Sequence, residues 1–188
     1  MALSINEIKV GVTILVDKVV YAVIDTHHVK PGKGSAFVRA KVRNMKTGAV
    51  LEKTFRGDEK IEHAYVEERK LQYTYNSGDI YHFMDQETYE EVAVSADTFE
   101  DQIKFLKDNL EVSGYFYKGE ALTIKLPFFV IYTVTHTEPG IKGDTAKSGT
   151  KPAEIESGAN VQVPLFINVD DKIKVDTRTG QYVERASA

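Results

Sequence analysis

An alternation of apolar and polar residues runs through most of this 188-residue sequence and constrains its fold more than any other feature. Side chains of a β-strand point to opposite faces with a period of two, whereas a helix repeats every 3.6 residues. About eleven short segments follow the period of two, and they are separated by glycine-containing turn signals. The pattern predicts an all-β protein, and so many short strands suit several small barrels better than one sandwich.

One segment departs from this alternation. Residues 96–110, ADTFEDQIKFLKDNL, carry Asp97 and Thr98 as candidate caps, acids in the first turn, and apolar residues at roughly helical spacing. The pattern predicts a single helix over this segment.

Two segments divide the sequence by composition. Residues 56–69 are charged and poor in strand pattern, and residues 125–130 contain Pro127 within an otherwise strand-like run. If these two segments contain the domain boundaries, the chain has three domains, at 1–64, 65–128 and 129–188. Each is in the size range of SH3-like and OB barrels. The polar, glycine-rich segment 136–159 is long for a connection within a small domain, and it is therefore a candidate functional loop.

Positive charge is concentrated in one part of the chain. Between His27 and Arg56 there are eight basic residues and one acid, whereas the remaining chain holds 16 basic and 27 acidic residues. The net charge of -4 conceals this asymmetry. One region is suited to contact a polyanion such as RNA, and the acidic remainder favours solubility.

The composition excludes other classes of protein. The chain has no cysteine, so disulfides and thiolate metal sites are excluded. No apolar run approaches the roughly 20 residues that a membrane span needs, and the first residues lack the basic start of a signal peptide. We therefore expect a cytoplasmic protein without a membrane partner.

A lysine, Lys33, lies between two glycines directly after a proline. Pro31 and Gly32 suit the central positions of a type II turn, and Gly34 allows the chain to reverse into the next strand. The turn therefore holds the lysine away from the body of the protein.

The strand after this turn is predicted to be cationic on one face. Alternation places two sets of residues on opposite faces: Phe37, Arg39, Lys41 and Arg43 outward, and Ala36, Val38, Ala40 and Val42 inward. Together with Lys30, the outward cations Arg39, Lys41 and Arg43 are candidate contacts to RNA phosphates. The alternative is a solvated hairpin whose basic face binds nothing.

Two enzymatic interpretations fit the turn poorly. A phosphate-binding P-loop needs the pattern G-x-x-x-x-G-K-[ST], but His27 stands at the first glycine position and Gly34 follows Lys33. A Schiff-base lysine needs desolvation to lower its pKa, and a glycine-flanked turn provides the opposite environment.

The segment HVKPGKGSAFVRAKVRNMKTG resembles bacterial elongation factor P, and the resemblance extends over essentially the whole length. It continues through EKTF (52–55), FMD (83–85), EPGIKGDTA (138–146), KPA (151–153), VPLF (163–166) and IKVDTRTGQYVER (173–185). The signature of the family's third domain is met by Lys151, Ala153, Gly158, Val161, Val163 and Pro164. A later glycine of that signature is replaced by Asp170.

The resemblance implies an L-shaped arrangement of three barrels, an SH3-like KOW-type domain followed by two OB domains. It implies a non-enzymatic translation factor that binds the ribosome beside peptidyl-tRNA, stimulates peptide-bond formation and relieves stalling at consecutive prolines. Lys33 would reach toward the peptidyl-transferase centre, and Gly143, Asp144 and Thr145 would approach messenger RNA in the exit site.

The resemblance also sets the expected partners. We expect a monomer with no cofactor, apart from a covalent modification of Lys33 by a separate enzyme, as many family members carry. Two rival hypotheses stay open: a general OB-fold RNA-binding or chaperone protein, and an enzyme with Lys33 in its active site. The first predicts binding to arbitrary single strands with little dependence on Lys33, and the second predicts a depressed lysine pKa.

Overall fold

The computed structural model describes residues 2–32, 34–57, 59–140 and 149–186. Within these residues the chain forms sixteen strands and three short 3₁₀ helices. The strands are β1 Ala2–Leu3, β2 Thr13–Val16, β3 Val19–Val29, β4 Phe37–Asn44, β5 Val50–Arg56, β6 Ile61–His63, β7 Val66–Ser77, β8 Ile80–Asp85, β9 Glu91–Ser95, β10 Glu111–Tyr117, β11 Glu120–Lys125, β12 Phe129–Thr137, β13 Thr150–Ile155, β14 Asn160–Pro164, β15 Lys172–Asp176 and β16 Gln181–Arg185. The 3₁₀ helices are Ile5–Glu7, Ala96–Thr98 and Glu100–Phe105.

The strands form three barrel-like sheets, and the predicted all-β fold is confirmed. The strand orders are β1-β6-β2-β3-β4-β5, then β11-β10-β7-β8-β9, then β14-β13-β12-β15-β16. In the first and third sheets every paired strand is antiparallel. The chain divides into two compact units, Met1–Glu68 with Tyr115–Thr123, and Arg69–Gly114 with Ile124–Ala188. The division into three domains stays a prediction.

The predicted glycine turns are confirmed. Four glycines at turn positions have a positive φ, namely Gly48, Gly78, Gly119 and Gly180. Asp170 also has a positive φ, of 69°, at the position where the family signature has glycine. Aspartate tolerates this left-handed conformation better than most side chains, so the turn forms although glycine is absent.

The core of the first sheet follows directly from the alternation in β3 and β4. The inward residues Val23, Val38, Ala40 and Val42 are at most 1% exposed, and Phe55 of β5 packs with them. In the third sheet, β13 and β14 bury every second residue in the same way. The alternation that buries Ala153 and Ile155 also buries the charged Lys151.

The single helix predicted over residues 96–110 is wrong. The chain forms two separate 3₁₀ helices, Ala96–Thr98 and Glu100–Phe105, and Phe99 interrupts them with a φ of -151°. Leu106 is extended, with a ψ of 139°, so the second helix ends there.

Tertiary packing explains this difference. The buried ring of Phe99 lies 5.3 Å from that of Tyr81 and 5.9 Å from that of Phe83, measured between centroids. The side chain of Gln102 donates to the carbonyl of Ile124 and accepts from the backbone N–H of Leu126. These contacts fix a compact, irregular path, and they outweigh a weak helical preference.

The segment predicted as a functional loop is partly strand. β12 continues to Thr137 and β13 begins at Thr150, so only residues 138–149 connect them, and residues 141–148 lie outside the described part. The strand break predicted near Pro127 is confirmed, since β11 ends at Lys125 and β12 begins at Phe129. Among the described residues, no helix combines the length and the apolar character needed to cross a membrane.

Candidate nucleic-acid interface

The hairpin of β3 and β4 presents the predicted Lys33 segment at its end. The strands pair from Tyr21 with Asn44 to Val29 with Phe37, and residues 30–36 connect them. Lys33 itself lies outside the described residues. On either side of it, Pro31, Gly32 and Gly34 are exposed, as is Lys30, so these four residues lie outside the core of the first sheet.

The conformation of this segment differs from the predicted type II turn. That turn requires a positive φ at Gly32, but the φ of Gly32 lies outside the left-handed region. Gly34 has a φ of 109° instead. The glycine after the lysine, rather than the one before it, therefore provides the conformation that other residues adopt rarely.

The predicted faces of β4 are confirmed. Val38, Ala40 and Val42 are buried, whereas Arg39, Lys41 and Arg43 are exposed. Phe37 is half-buried, and the guanidinium of Arg39 lies 5.7 Å from the centre of its ring. The hairpin therefore presents three cations in one row toward solvent.

The strands on either side of β4 change the charge around each cation. Across the sheet, Arg39 lies opposite His27 of β3 and Thr54 of β5. Arg56 lies opposite Phe37, next to this row and closer to the Lys33 segment. The end of the outer face near Lys33 therefore carries Arg39 and Arg56 without a facing acid among their described cross-strand partners.

Lys41 has acidic neighbours on both sides. It lies opposite Asp25 of β3 and Glu52 of β5, and its Nζ is 4.0 Å from the carboxylate of Asp25. The imidazole of His27 lies 3.4 Å from the same carboxylate. The positive charge of Lys41 is thus partly compensated within the protein.

One further lysine of the basic region does not belong to this face. In β5 the residues on either side of Lys53 are exposed, and Lys53 itself is half-buried on the inner face of the strand. Its Nζ is 3.9 Å from the carboxylate of Asp17 and 5.4 Å from the centre of the Tyr21 ring. Among the described residues of this outer face, the exposed cations without a facing cross-strand acid are therefore Arg39, Arg43 and Arg56.

The second predicted site, at Gly143, Asp144 and Thr145, lies outside the described residues. The structure does describe the segments that lead into it. The buried Lys151 of β13 donates from Nζ to the carbonyl of Glu138. Gly140 packs so closely against the backbone of Leu165 that a side chain would not fit there. The sequence marks Lys151 only as part of a signature, and its alternation with Ala153 and Ile155 is the signal that places it inward.

Three family profiles cover the chain in order. Residues 4–61 match the elongation factor P (EF-P) KOW-like domain, residues 66–124 match the EF-P OB domain, and residues 130–185 match the C-terminal domain of elongation factor P. The chain belongs to the elongation factor P family.

Relatives in this family match the chain over nearly its whole length. Elongation factor P of Thermoanaerobacter sp. (strain X514) is 55% identical over 183 residues, which cover 97% of this chain and 99% of the relative. Elongation factor P of Moorella thermoacetica is 54% identical over 184 residues, 98% of this chain and all of the relative.

A solved structure supports the fold. Eukaryotic translation initiation factor 5A from Methanococcus jannaschii is similar with a TM-score of 0.52 and 26% identity, and the match covers 68% of this chain and 92% of that protein. Membership of the elongation factor P family makes this chain a translation elongation factor.

Proposed function

We propose that this elongation factor P family member binds the ribosome beside peptidyl-tRNA and stimulates peptide-bond formation, so that it relieves stalling at consecutive prolines. The observation that carries the proposal is the hairpin of β3 and β4, which joins an exposed cationic row to a lysine between two glycines in an otherwise acidic chain. Its partners are ribosomal RNA, peptidyl-tRNA and messenger RNA.

The mechanism is one of positioning. The reaction centre of the ribosome supplies the chemistry, and a protein that restrains the peptidyl-tRNA makes the reaction closer to unimolecular. Proline is a conformationally restricted substrate, so restraint has its largest effect there. In this mechanism the exposed cations of the hairpin bind phosphates, namely Lys30, Arg39, Lys41 and Arg43, together with Arg56 of β5. Lys33, with a covalent extension added by a separate enzyme, reaches toward the peptidyl-transferase centre. Gly143, Asp144 and Thr145 contact the messenger in the exit site.

Substitution of Lys33 tests this function. In cells that lack the wild-type factor, Lys33→Ala is expected to lose most of the rescue of a reporter that contains consecutive prolines, because the positioning group is removed. Lys46→Ala is the matched control, since Lys46 is an exposed lysine in the turn between β4 and β5. Full rescue by Lys33→Ala contradicts the proposed role and favours a general RNA-binding protein.

A pair of substitutions tests which cations bind RNA. Because Lys41 lies between Asp25 and Glu52, we expect Arg39→Gln to weaken ribosome binding more than Lys41→Gln. The salt dependence of the affinity, plotted as log K against log salt, should lose about one unit of slope for Arg39→Gln and much less for Lys41→Gln. Filter binding of each variant to purified ribosomes measures both slopes, over a salt range of about 50 to 200 mM. Equal losses would show that the flanking acids do not shield Lys41.

A further inference from the structure

A short segment that belongs to the second sheet also contacts the third sheet. It consists of residues 104–107, the end of the 3₁₀ helix Glu100–Phe105 and the two residues after it. Residues on both sides of the segment bind it to the second sheet. Before it, the ring of Phe99 packs against rings of β8, and after it the backbone N–H of Asn109 donates to the carbonyl of Tyr73 in β7. The position of the segment is therefore fixed relative to the second sheet.

Lys107 provides the side-chain contact of this segment with β12. Its Nζ donates to the backbone carbonyl of Ile131 at 2.7 Å and to the carboxylate of Glu156 at 3.0 Å. The same carboxylate oxygen accepts from the backbone N–H of Thr133 at 3.0 Å. The side chains of Lys107 and Glu156 are only 28% and 35% exposed, so water and salt screen this ion pair less than one on the open surface. Lys107 thus binds both β12 and the turn after β13.

Two carbonyls and one ring of the segment make the remaining contacts. The carbonyl of Lys104 accepts from the hydroxyl of Ser157 at 2.8 Å, and the carbonyl of Phe105 accepts from the hydroxyl of Tyr132. The buried Phe105 ring lies so close to Gly180 that a Cβ there would be 3.2 Å from it. The segment therefore contacts three separate parts of the third sheet: β12, the turn between β13 and β14, and the turn between β15 and β16.

The covalent connection between the second and third sheets is short, but it is single. β11 ends at Lys125 and β12 begins at Phe129, so residues 126–128 connect them. A few residues of this kind can act as a hinge, because each has two backbone dihedral angles that rotate. A second attachment at another place removes that rotation. The contact of residues 104–107 with the third sheet is such an attachment.

We propose that Lys107 is a positioning residue, which holds the third sheet in one orientation to the second sheet and thereby directs Gly143, Asp144 and Thr145 toward the messenger. The messenger as the target rests on the proposed function. When two binding sites belong to one rigid body, the first contact places the second at a high effective concentration. If the third sheet rotates freely, that effective concentration falls, and so does the overall affinity.

Spin labels measure the orientation of the third sheet without the ribosome. The chain has no cysteine, so Glu90→Cys beside β9 and Gln162→Cys in β14 provide two specific labelling sites, both exposed. Pulsed electron paramagnetic resonance is expected to give a narrow distance distribution for the otherwise wild-type protein, and one about twice as wide for Lys107→Met, which frees the hinge. Lys104→Met is the matched control and should stay narrow, because Lys104 bonds to the third sheet through its carbonyl.

A second variant keeps this test decisive if Lys107→Met does not fold. Glu156→Gln retains an acceptor for the backbone N–H of Thr133 and removes the charge that binds Lys107, so it is also expected to widen the distribution. A lysine that serves stability alone would lower the melting temperature without changing the width. Narrow distributions in the variants that fold, or equal widening in Lys104→Met, would overturn the proposal.

A double-mutant cycle tests whether Lys107 acts through the messenger contact. Lys107→Met and Asp144→Ala are each expected to weaken binding of the full-length protein to ribosomes that carry messenger, by about tenfold. The double variant should bind no more weakly than the weaker single variant, because both changes remove the same contact. Losses that multiply, or a loss for Asp144→Ala alone, would overturn the proposal. If Asp144→Ala binds like the wild type, the proposed messenger contact fails, and the label distances decide whether Lys107 orients the sheet.

Discussion

Tyr132→Ala is expected to lower the free energy of unfolding by about 3–5 kcal/mol, the range for loss of a large aromatic ring from a core. Tyr132 of β12 is fully buried, and its hydroxyl donates to the backbone carbonyl of Phe105. The centroid of the Tyr132 ring lies 6.4 Å from that of Phe105 and 5.4 Å from Nζ of Lys107. Equilibrium unfolding in urea, followed by circular dichroism, measures the loss.

Tyr132→Phe isolates the hydroxyl and gives a pH dependence of known sign. Burial, with a smaller contribution from the charge of Glu156, raises the pKa of Tyr132 well above its usual value. The unfolded chain therefore loses this proton at about pH 10 while the folded chain retains it. The stability that the neutral hydroxyl provides is complete below pH 10, and it falls by up to about 1.4 kcal/mol per pH unit above it.

The two proteins should therefore converge at alkaline pH. At pH 8 the wild type is expected to be more stable than Tyr132→Phe by about 1 kcal/mol, the value of one hydrogen bond. By about pH 11 that advantage should have disappeared. Tyr89→Phe is the control, because the Tyr89 ring is 75% exposed and its hydroxyl has no bond to a described residue. A difference between wild type and Tyr132→Phe that stays constant from pH 8 to pH 11 would contradict the assignment.

The sequence predicts most of the local structure because short-range rules determine it. Alternation places Val38, Ala40 and Val42 inside, and the glycines of four turns adopt the positive φ that their positions require. These features depend on a few neighbouring residues. The helix predicted over residues 96–110 is wrong for the opposite reason, because Phe99 packs against rings that come from β8, far from it in the sequence.

The charges around the candidate site also depend on residues that are distant in the sequence, so the sequence alone does not predict them. The sequence presents Arg39, Lys41 and Arg43 as equivalent members of one row. Strand pairing then places Asp25 and Glu52 beside Lys41, and neither is near it in the sequence. The pairing depends on which residues of β3 and β5 lie opposite β4, and a bulge between Val23 and Asp25 shifts that alignment by one residue. Composition and spacing alone do not locate such a bulge.

The inward position of Lys151 follows the alternation of β13, but the alternation alone does not explain how a charged side chain can be buried there. Alternation in β13 predicts a buried side chain there, but a buried lysine is rare unless its ammonium is bonded. The carbonyl of Glu138 satisfies it in the structure. That partner is a backbone carbonyl of the preceding segment. Every residue has such a carbonyl, so the sequence does not indicate which one accepts from Lys151.

Gly140→Ala is expected to destabilise the protein by about 2–3 kcal/mol, the cost of forcing atoms into a well-packed site. A Cβ at this position would overlap the carbonyl oxygen of Leu165, and the carbonyl carbon and Cβ of Leu165 would lie at 3.2 Å. The backbone around Leu165 cannot move freely, because Pro164 pairs with Thr150 and accepts from the N–H of Ile167. The φ of Gly140 lies outside the left-handed region, so the cost is steric. Thermal and urea unfolding measure it.

Gly32→Ala is the matched control for this substitution. Gly32 also lacks a left-handed φ, and a Cβ there meets nothing within 4 Å. We expect it to leave stability unchanged or to raise it by up to about 1 kcal/mol, since alanine restricts the unfolded chain. Equal effects of the two substitutions would show that the backbone of Leu165 yields to a Cβ. A loss confined to Gly140→Ala would show that close packing against the backbone of Leu165 holds the chain at Gly140.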